Sequence, residues 1–90
     1  MPDFEYDDEK CAANIHKHGF DFDICDELFD GRPMISRPSP RGGEMREVSV
    51  CIWQARFVAV IGTWRGPVRR IISIRAARKV ERRAYEAIFS

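Results

Sequence analysis

The segment from residue 47 to residue 75 restricts the fold of this chain most, because it holds three apolar stretches joined by very short connections. Residues 47–53 alternate between apolar and polar side chains, which predicts a strand with one buried face. Residues 57–64 are almost continuously apolar, as expected of a central strand. A Gly-Pro turn signal precedes a third strand over residues 68–75. Connections this short join antiparallel neighbours, so the segment predicts an antiparallel sheet.

Two short helices are predicted before this sheet. Asp7 suits an N-cap and Gly19 suits the position just past a helix end, so the first helix covers residues 8–18. Apolar residues at helical spacing predict a second helix between residues 22 and 29. Residues 3–6 alternate polar and apolar side chains, which fits either a short strand or an extended arm. The N-terminal third is therefore expected to be mainly helical.

The remaining segments complete an α+β domain. Residues 31–44 contain three of the five prolines and three of the six glycines, which predicts a loop with at most a short strand at residues 34–36. Residues 76–89 have a helical pattern with an apolar stripe of Ala77, Val80, Ala84 and Ile88. This stripe is expected to dock on the sheet. The prediction is one domain over residues 1–90, with two N-terminal helices, an antiparallel sheet of about four strands and a C-terminal helix.

Composition points to a cytoplasmic protein. No apolar run approaches the roughly 20 residues that a membrane span needs, and the acidic N-terminus lacks an apolar signal-peptide core. The three cysteines form no CxxC pair, which disfavours a disulfide framework or a zinc site. They are expected to be small apolar residues in a reducing compartment. We therefore expect no membrane contact, no metal and no cofactor.

The charges are divided unevenly along the chain. Residues 1–30 hold ten acidic and two basic side chains, whereas residues 31–90 hold thirteen basic and four acidic ones. Seven of the basic residues fall between residues 69 and 83. Such asymmetry indicates binding to nucleic acid or another polyanion. The alternative is that the acidic half neutralises the basic half within the folded domain.

Two blocks of residues resemble the BrnT family of bacterial toxins. The first consists of Phe4, Tyr6, Asp7, Lys10, Asn14, Lys17-His18-Gly19, Phe22 and Phe29-Asp30. The second consists of Thr63, Arg65-Gly66, Arg70-Ile71-Ile72-Ser73, Arg75, Ala77, Arg78, Glu81-Arg82 and Tyr85. Each block is moderately specific, and their combination in this order is a strong signal. The chain departs from the family at Cys51-Ile52-Trp53, where the family has a glycine, and in the proline- and arginine-rich residues 33–43.

The resemblance implies a RelE-like fold and a ribonuclease that inhibits translation. It also implies a BrnA-like antitoxin with a ribbon-helix-helix DNA-binding domain. The toxin and this antitoxin would form a hetero-oligomer that represses their own operon, so the toxin would reach operator DNA only through the antitoxin.

Four residues are candidates for catalysis of RNA cleavage. Without a metal, the ribose 2′-hydroxyl attacks the phosphate, so a site must move protons and stabilise negative charge on the phosphate oxygens. His18 is the acid or base candidate because imidazole changes charge near neutral pH; its alternative role is to cap the first helix. Arg65, Arg75 and Arg78 are the candidates for holding phosphate, and the alternative is ion pairing with the acidic half.

Other residues are predicted to support this site. Lys17 and Arg70 are candidates to bind the RNA backbone. Tyr85 is a candidate to stack on a base or donate a hydrogen bond, although a tyrosine at this position more often covers a sheet. Glu81 is three residues after Arg78 and is expected to orient it.

Three functions compete at this point. The first is an RNA-cleaving enzyme, and the second is a non-catalytic module that only binds an antitoxin and acts as its co-repressor. A plain nucleic-acid-binding domain is the third, but no helix-turn-helix or RNA-binding motif supports it. Growth arrest on expression of this chain alone would separate the first function from the second.

Overall fold

The computed structural model describes residues 4–89. The strands are β1 (Phe4–Glu5), β2 (Ile35–Arg41), β3 (Glu44–Trp53), β4 (Arg56–Arg65) and β5 (Val68–Ala76). The helices are α1 (Asp8–His18), α2 (Cys25–Leu28) and α3 (Lys79–Phe89), and a 3₁₀ turn at Phe22–Ile24 leads directly into α2. All five strands form one sheet in the order β1-β5-β4-β3-β2. The predicted α+β class is confirmed.

The antiparallel meander predicted for residues 47–75 is confirmed. β3 pairs with β4 and β4 with β5, both antiparallel. Gln54 and Ala55 have positive φ angles in the turn between β3 and β4, which matches the two-residue turns of twisted hairpins. The register shifts at Ile61/Gly62, where a β-bulge interrupts the β4–β5 pairing. The alternation of side chains between the two sheet faces is therefore interrupted near the middle of β5.

The prediction for residues 31–44 was wrong in extent. β2 runs for seven residues and pairs with β3 along its whole length, rather than forming a loop with a strand at residues 34–36. Pro38 and Pro40 mislead a sequence reading because proline cannot donate to a ladder. β2 is an edge strand, and Pro38 and Pro40 are two residues apart, so their backbone nitrogens point in the same direction. Both nitrogens point away from β3, where the strand needs no hydrogen bond to a neighbour.

The sheet has five strands rather than about four, and it is not purely antiparallel. β1 pairs in parallel with β5, with Phe4 opposite Arg69 and Glu5 opposite Arg70. Two of the described residues take part, which is too few for the alternating pattern to distinguish a strand from an extended arm. For Phe4–Glu5 the strand is the correct alternative, and Asp3 lies outside the described residues.

The N-terminal helices match the prediction in part. Asp7 caps α1 by accepting hydrogen bonds from the backbone N–H groups of Glu9 and Lys10. Gly19 ends α1 in the left-handed conformation. The second predicted helix is only a 3₁₀ turn followed by a single α-helical turn. Among the described residues, no helix combines the length and apolar character required to cross a membrane.

Two apolar clusters form the core, one on each face of the sheet. The larger joins the N-terminal third to β3, β4 and β5 through residues such as Phe22, Leu28 and Ile71. The smaller lies under α3 and contains Ile35, Val50, Ala59 and Tyr85.

The stripe predicted to dock α3 on the sheet is confirmed only in part, because Ala77 and Ala84 pack against the smaller cluster whereas Val80 and Ile88 do not. Tyr85 is the buried residue of this helix, whereas Val80 is 69% exposed and Ile88 63% exposed. The Tyr85 ring packs edge-on against Phe57 at 5.5 Å between centroids, and its size makes this contact larger than any that Val80 can offer. The helix is thereby turned so that Val80 and Ile88 face outward.

Candidate functional site

A cationic groove opens on the sheet face that α3 covers only in part. It has a volume of about 290 Å³. The end of α1 and the start of α3 border it, and the sheet forms its floor. The polar and charged lining residues are Lys17, His18, Ser39, Arg41, Arg46, Ser73, Arg75 and Arg78, and the apolar ones are Val48, Ile61 and Ile72. Three of the four predicted catalytic residues, His18, Arg75 and Arg78, therefore meet in one groove.

His18 enters this groove from the last turn of α1 and is half-buried. The backbone N–H of Gly19 donates to the carbonyl oxygen of Ile15 at 2.8 Å, so backbone closes the end of the helix. The imidazole is therefore not required as the cap for that carbonyl. This weighs against the alternative role considered for His18.

Asn14 fixes the position of α1 against the sheet. Its side-chain amide donates to the carbonyl oxygens of Ile74 and Phe20, each at 2.9 Å. Its side-chain oxygen accepts from the Ile74 N–H at 3.2 Å and from the Ser73 hydroxyl at 3.1 Å. The amide thus pairs with both backbone groups of Ile74, as a neighbouring strand would. One turn further along, α1 presents His18 at the groove.

Arg75 and Glu81 form a bidentate ion pair at the groove. The two terminal nitrogens of Arg75 donate to the two carboxylate oxygens of Glu81 at 2.7 and 2.9 Å. Both side chains are largely buried, at 16% and 17% exposure. The Arg75 hydrogen bonds, more than any other cause, lower the pKa of the Glu81 carboxyl. A bidentate pair of this kind holds the guanidinium in one orientation.

The orienting role of Glu81 differs from the one predicted. Its carboxylate binds the side chain of Arg75, and it reaches Arg78 only at the backbone N–H, at 2.7 Å. A glutamate that accepts from an N–H three residues earlier forms one half of a capping box. Glu81 therefore joins the start of α3 to the end of β5, while the Arg78 side chain stays exposed.

The groove also carries cations without a paired carboxylate. Within residues 4–89, no ion pair involves Lys17, Arg41 or Arg78, and all three are exposed. Arg46 differs because its Nε donates to Glu44 at 3.0 Å. The groove therefore presents net positive charge to solvent, which suits a phosphate ester.

Arg65 and Arg70 do not join the other predicted site residues. Arg65 is opposite Val68 at one end of the β4–β5 hairpin, whereas Arg75 is opposite Ala59 towards the other. Arg65 is therefore separated from Arg75 and Arg78, although the sequence suggested all three as residues that hold phosphate. Arg65 and Arg70 both contact Glu5, at 3.5 and 3.4 Å, which is the pairing with the acidic half considered as an alternative.

Tyr85 lies away from the groove. It is 7% exposed and belongs to the apolar cluster under α3. Its ring contacts Phe57 and Phe89. This arrangement favours the structural role for Tyr85 over a direct contact with RNA.

Sequence reasoning missed Ser39, Arg41 and Arg46 as lining residues. Ser39 and Arg41 belong to β2, which the prolines disguised as a loop. The period-two spacing of a strand was nevertheless present in the sequence. The odd-numbered residues of this stretch share one face of the strand, and they are Ile35, Arg37, Ser39 and Arg41.

The metal-binding side chains and buried thiols of residues 4–89 do not form a second centre. No cluster of three or more metal-binding side chains occurs in the described residues. The thiols of Cys25 and Cys51 are buried, and burial raises the pKa of Cys25 to about 12 and that of Cys51 to about 11. Thiols of this kind stay protonated and act as apolar core residues.

Comparison with known proteins identifies the family. A family model described as ribonuclease toxin, BrnT, of type II toxin–antitoxin system matches residues 6–81. This range covers most of the 90-residue chain and includes His18, Arg75 and Arg78. A comparison with individually curated proteins gives no match.

Proposed function

The chain belongs to the BrnT family of ribonuclease toxins from type II toxin–antitoxin systems, and on that premise we propose that its cationic groove cleaves RNA without a metal ion. The observation that carries the proposal is the meeting of His18, Arg75 and Arg78 in one groove. This combination supplies a group that exchanges protons near neutral pH and fixed charges that suit phosphate oxygens.

In the proposed reaction the ribose 2′-oxygen forms a bond to phosphorus, and the bond from phosphorus to the 5′-oxygen breaks. The 2′-hydroxyl loses its proton and the leaving 5′-oxygen gains one; His18 accepts the first proton or donates the second, and water exchanges the other. Arg78 and Lys17, which are exposed and carry no partner carboxylate in residues 4–89, stabilise charge on the phosphate oxygens. Arg75 is held in place by Glu81 and offers its remaining N–H donors in a fixed direction.

The biological consequence we propose is inhibition of translation through cleavage of messages in the cytoplasm. The antitoxin that the family implies would be a BrnA-like ribbon-helix-helix protein. With it, the toxin would bind operator DNA and repress their operon. The cations of the groove, which attract a polyanion, support an acidic covering segment in that complex.

Variants of the groove test the proposal. We expect His18→Ala and Arg78→Ala each to lower RNA cleavage by about 10²–10³, because removal of one preorganised group typically has that effect. Growth arrest on expression should be lost in the same variants. Arg83→Ala, on an exposed part of α3 outside the groove, is the matched control and should cleave normally.

Two outcomes would contradict the proposal. Full toxicity of the His18→Ala, Arg75→Ala double variant would remove the groove as the active site. Antitoxin binding without any RNA cleavage by the wild-type chain would leave only the non-catalytic partner and co-repressor function.

A further inference from the structure

An apolar stripe on α3 is left open to solvent. Val80 is 69% exposed and Ile88 63% exposed, and Ala84 lies between them at half-burial. Residues four apart share one side of a helix, so these three form a continuous stripe. Their spacing is that of a helix face that packs on another element. An exposed apolar strip of this kind marks a contact surface.

The stripe forms one wall of an apolar groove. The groove lies between α3 and strands β2 and β3 and has a volume of about 200 Å³. Ile35, Val48 and Val50 line it from the sheet, and Val80 and Ala84 line it from the helix. It therefore offers apolar walls on both sides to the side chains of a partner.

This apolar groove continues into the cationic groove. Ser39 and Val48 line both. A segment that leaves the apolar groove at this end therefore passes over the cations at the candidate site. Two further cations lie near this path. Arg37 lines the apolar groove and Arg83 is exposed on α3. Neither forms an ion pair within the described part of the chain.

We propose that the antitoxin docks through one amphipathic segment that occupies both grooves. Its apolar side chains fill the groove beside Val80 and cover the stripe as far as Ile88. Its acidic side chains continue across Lys17, Arg41 and Arg78. The proposal rests on the proposed function, which supplies a protein partner and makes the cationic groove the site to be blocked. Apolar burial accounts for affinity, while the acidic part speeds association and excludes RNA from the same cations.

Calorimetric titration of this chain with the purified product of its neighbouring gene, tested as the antitoxin, measures the apolar contact. Val80→Gln should weaken binding about tenfold, the loss expected when one buried valine side chain is replaced by a polar one. Met45→Gln is the matched control, because Met45 is 62% exposed near the β2–β3 turn and lines neither groove. Its affinity should stay within about twofold of wild type.

The salt dependence of binding tests the acidic part. Arg41→Ala should make antitoxin affinity less sensitive to salt, because it removes one cation from the charged contact. Val80→Gln should retain the salt dependence of wild type. Ile88→Gln provides a second apolar variant at another exposed position, should Val80→Gln fail to fold.

Several results would overturn this inference. Wild-type affinity in both Val80→Gln and Ile88→Gln would remove the apolar contact. Self-association of the wild-type chain that Val80→Gln abolishes, measured by sedimentation, would assign the stripe to a second copy instead. RNA cleavage by Val80→Gln, measured without antitoxin, separates the docking proposal from the proposed function. Normal cleavage together with reduced antitoxin affinity supports the docking proposal. Dependence of antitoxin binding on Val80 in a chain that cleaves no RNA would leave the interface intact and remove the proposed function.

Discussion

At the scale of single residues, Glu81 has more structural roles than its position in a basic stretch suggests. Its carboxylate orients the Arg75 guanidinium and accepts the Arg78 backbone N–H. One side chain thus connects β5, α3 and the candidate site. The pair is mostly shielded from water, so removal of one partner leaves the other charge poorly solvated and costs more than at an exposed ion pair.

The pH dependence of stability should reveal this role. The pKa of Glu81 is lower in the folded protein than its ordinary value, chiefly because of the hydrogen bonds from Arg75. Its stabilising contribution is therefore present above the pKa of the unfolded chain and is lost as pH falls through the folded pKa. We expect Glu81→Gln to lower the free energy of unfolding by about 1–2 kcal/mol at neutral pH.

Urea unfolding over a pH series provides the measurement. The difference between Glu81→Gln and wild type should narrow as pH falls below about 4. Glu86→Gln is the control, because Glu86 is 49% exposed and contacts Arg82 at 3.8 Å. A difference for Glu81→Gln that is constant with pH would show that the ionised carboxylate is not the stabilising species.

At the scale of elements, α1 depends on Asn14 for its attachment to β5. Within residues 4–89, β1 pairs with β5 opposite Arg69 and Arg70. Asn14 supplies hydrogen bonds to Ile74 further along that edge. A single amide thus continues the pairing beyond the end of β1 and holds α1 against the sheet.

Replacement of Asn14 should affect both stability and activity. Asn14→Ala leaves buried backbone groups of Ile74 without their partner, and we expect a loss of about 2–3 kcal/mol in the free energy of unfolding. RNA cleavage should fall as well, because His18 is carried by the same helix. His16→Ala, at an exposed position of α1, should change stability by less than about 0.5 kcal/mol. Equal stability of the two variants in urea unfolding would contradict this account.

At the scale of the whole molecule, the fold divides the basic residues between the two sheet faces. Arg69 stacks between Phe29 and Trp64, at 4.2 and 4.3 Å from the ring centroids, and pairs with Glu47. Arg82 lies 4.7 Å from the Phe57 ring centroid. The basic stretch is therefore not one nucleic-acid surface, and part of it stabilises the fold.

The salt dependence of RNA binding should reflect the cations that remain free. Lys17, Arg41 and Arg78 line the groove without a partner carboxylate in residues 4–89. If each contacts one phosphate of single-stranded RNA, the slope of log affinity against log salt should be about −2. Arg78→Ala should reduce its magnitude by about 0.7, whereas Arg83→Ala should leave it unchanged.

The slope can be measured without cleavage by fluorescence titration of a single-stranded RNA whose 2′-hydroxyls are methylated, since the nucleophile is then blocked. A slope near zero for wild type would contradict phosphate binding in the groove. An equal change for Arg78→Ala and Arg83→Ala would indicate diffuse attraction to the whole basic surface instead.

The sequence by itself determined the α+β class, the meander of β3, β4 and β5, and the bounds of α1. These features depend on local periodicity, on capping residues such as Asp7 and Gly19, and on short connections. The same local signals were misleading at β2, because prolines that are tolerated on an open edge look like a loop. They also failed at β1, where two residues are too few to carry a pattern.

Only the tertiary structure decided which charged residues meet. Arg65 and Arg75 look equivalent in sequence, yet they lie towards opposite ends of one hairpin and contact different carboxylates. The orientation of α3 was also a tertiary result, because packing of the Tyr85 ring on Phe57 outweighed the stripe containing Val80. Pairing and packing of this kind depend on residues distant in the chain, so no local pattern specifies them.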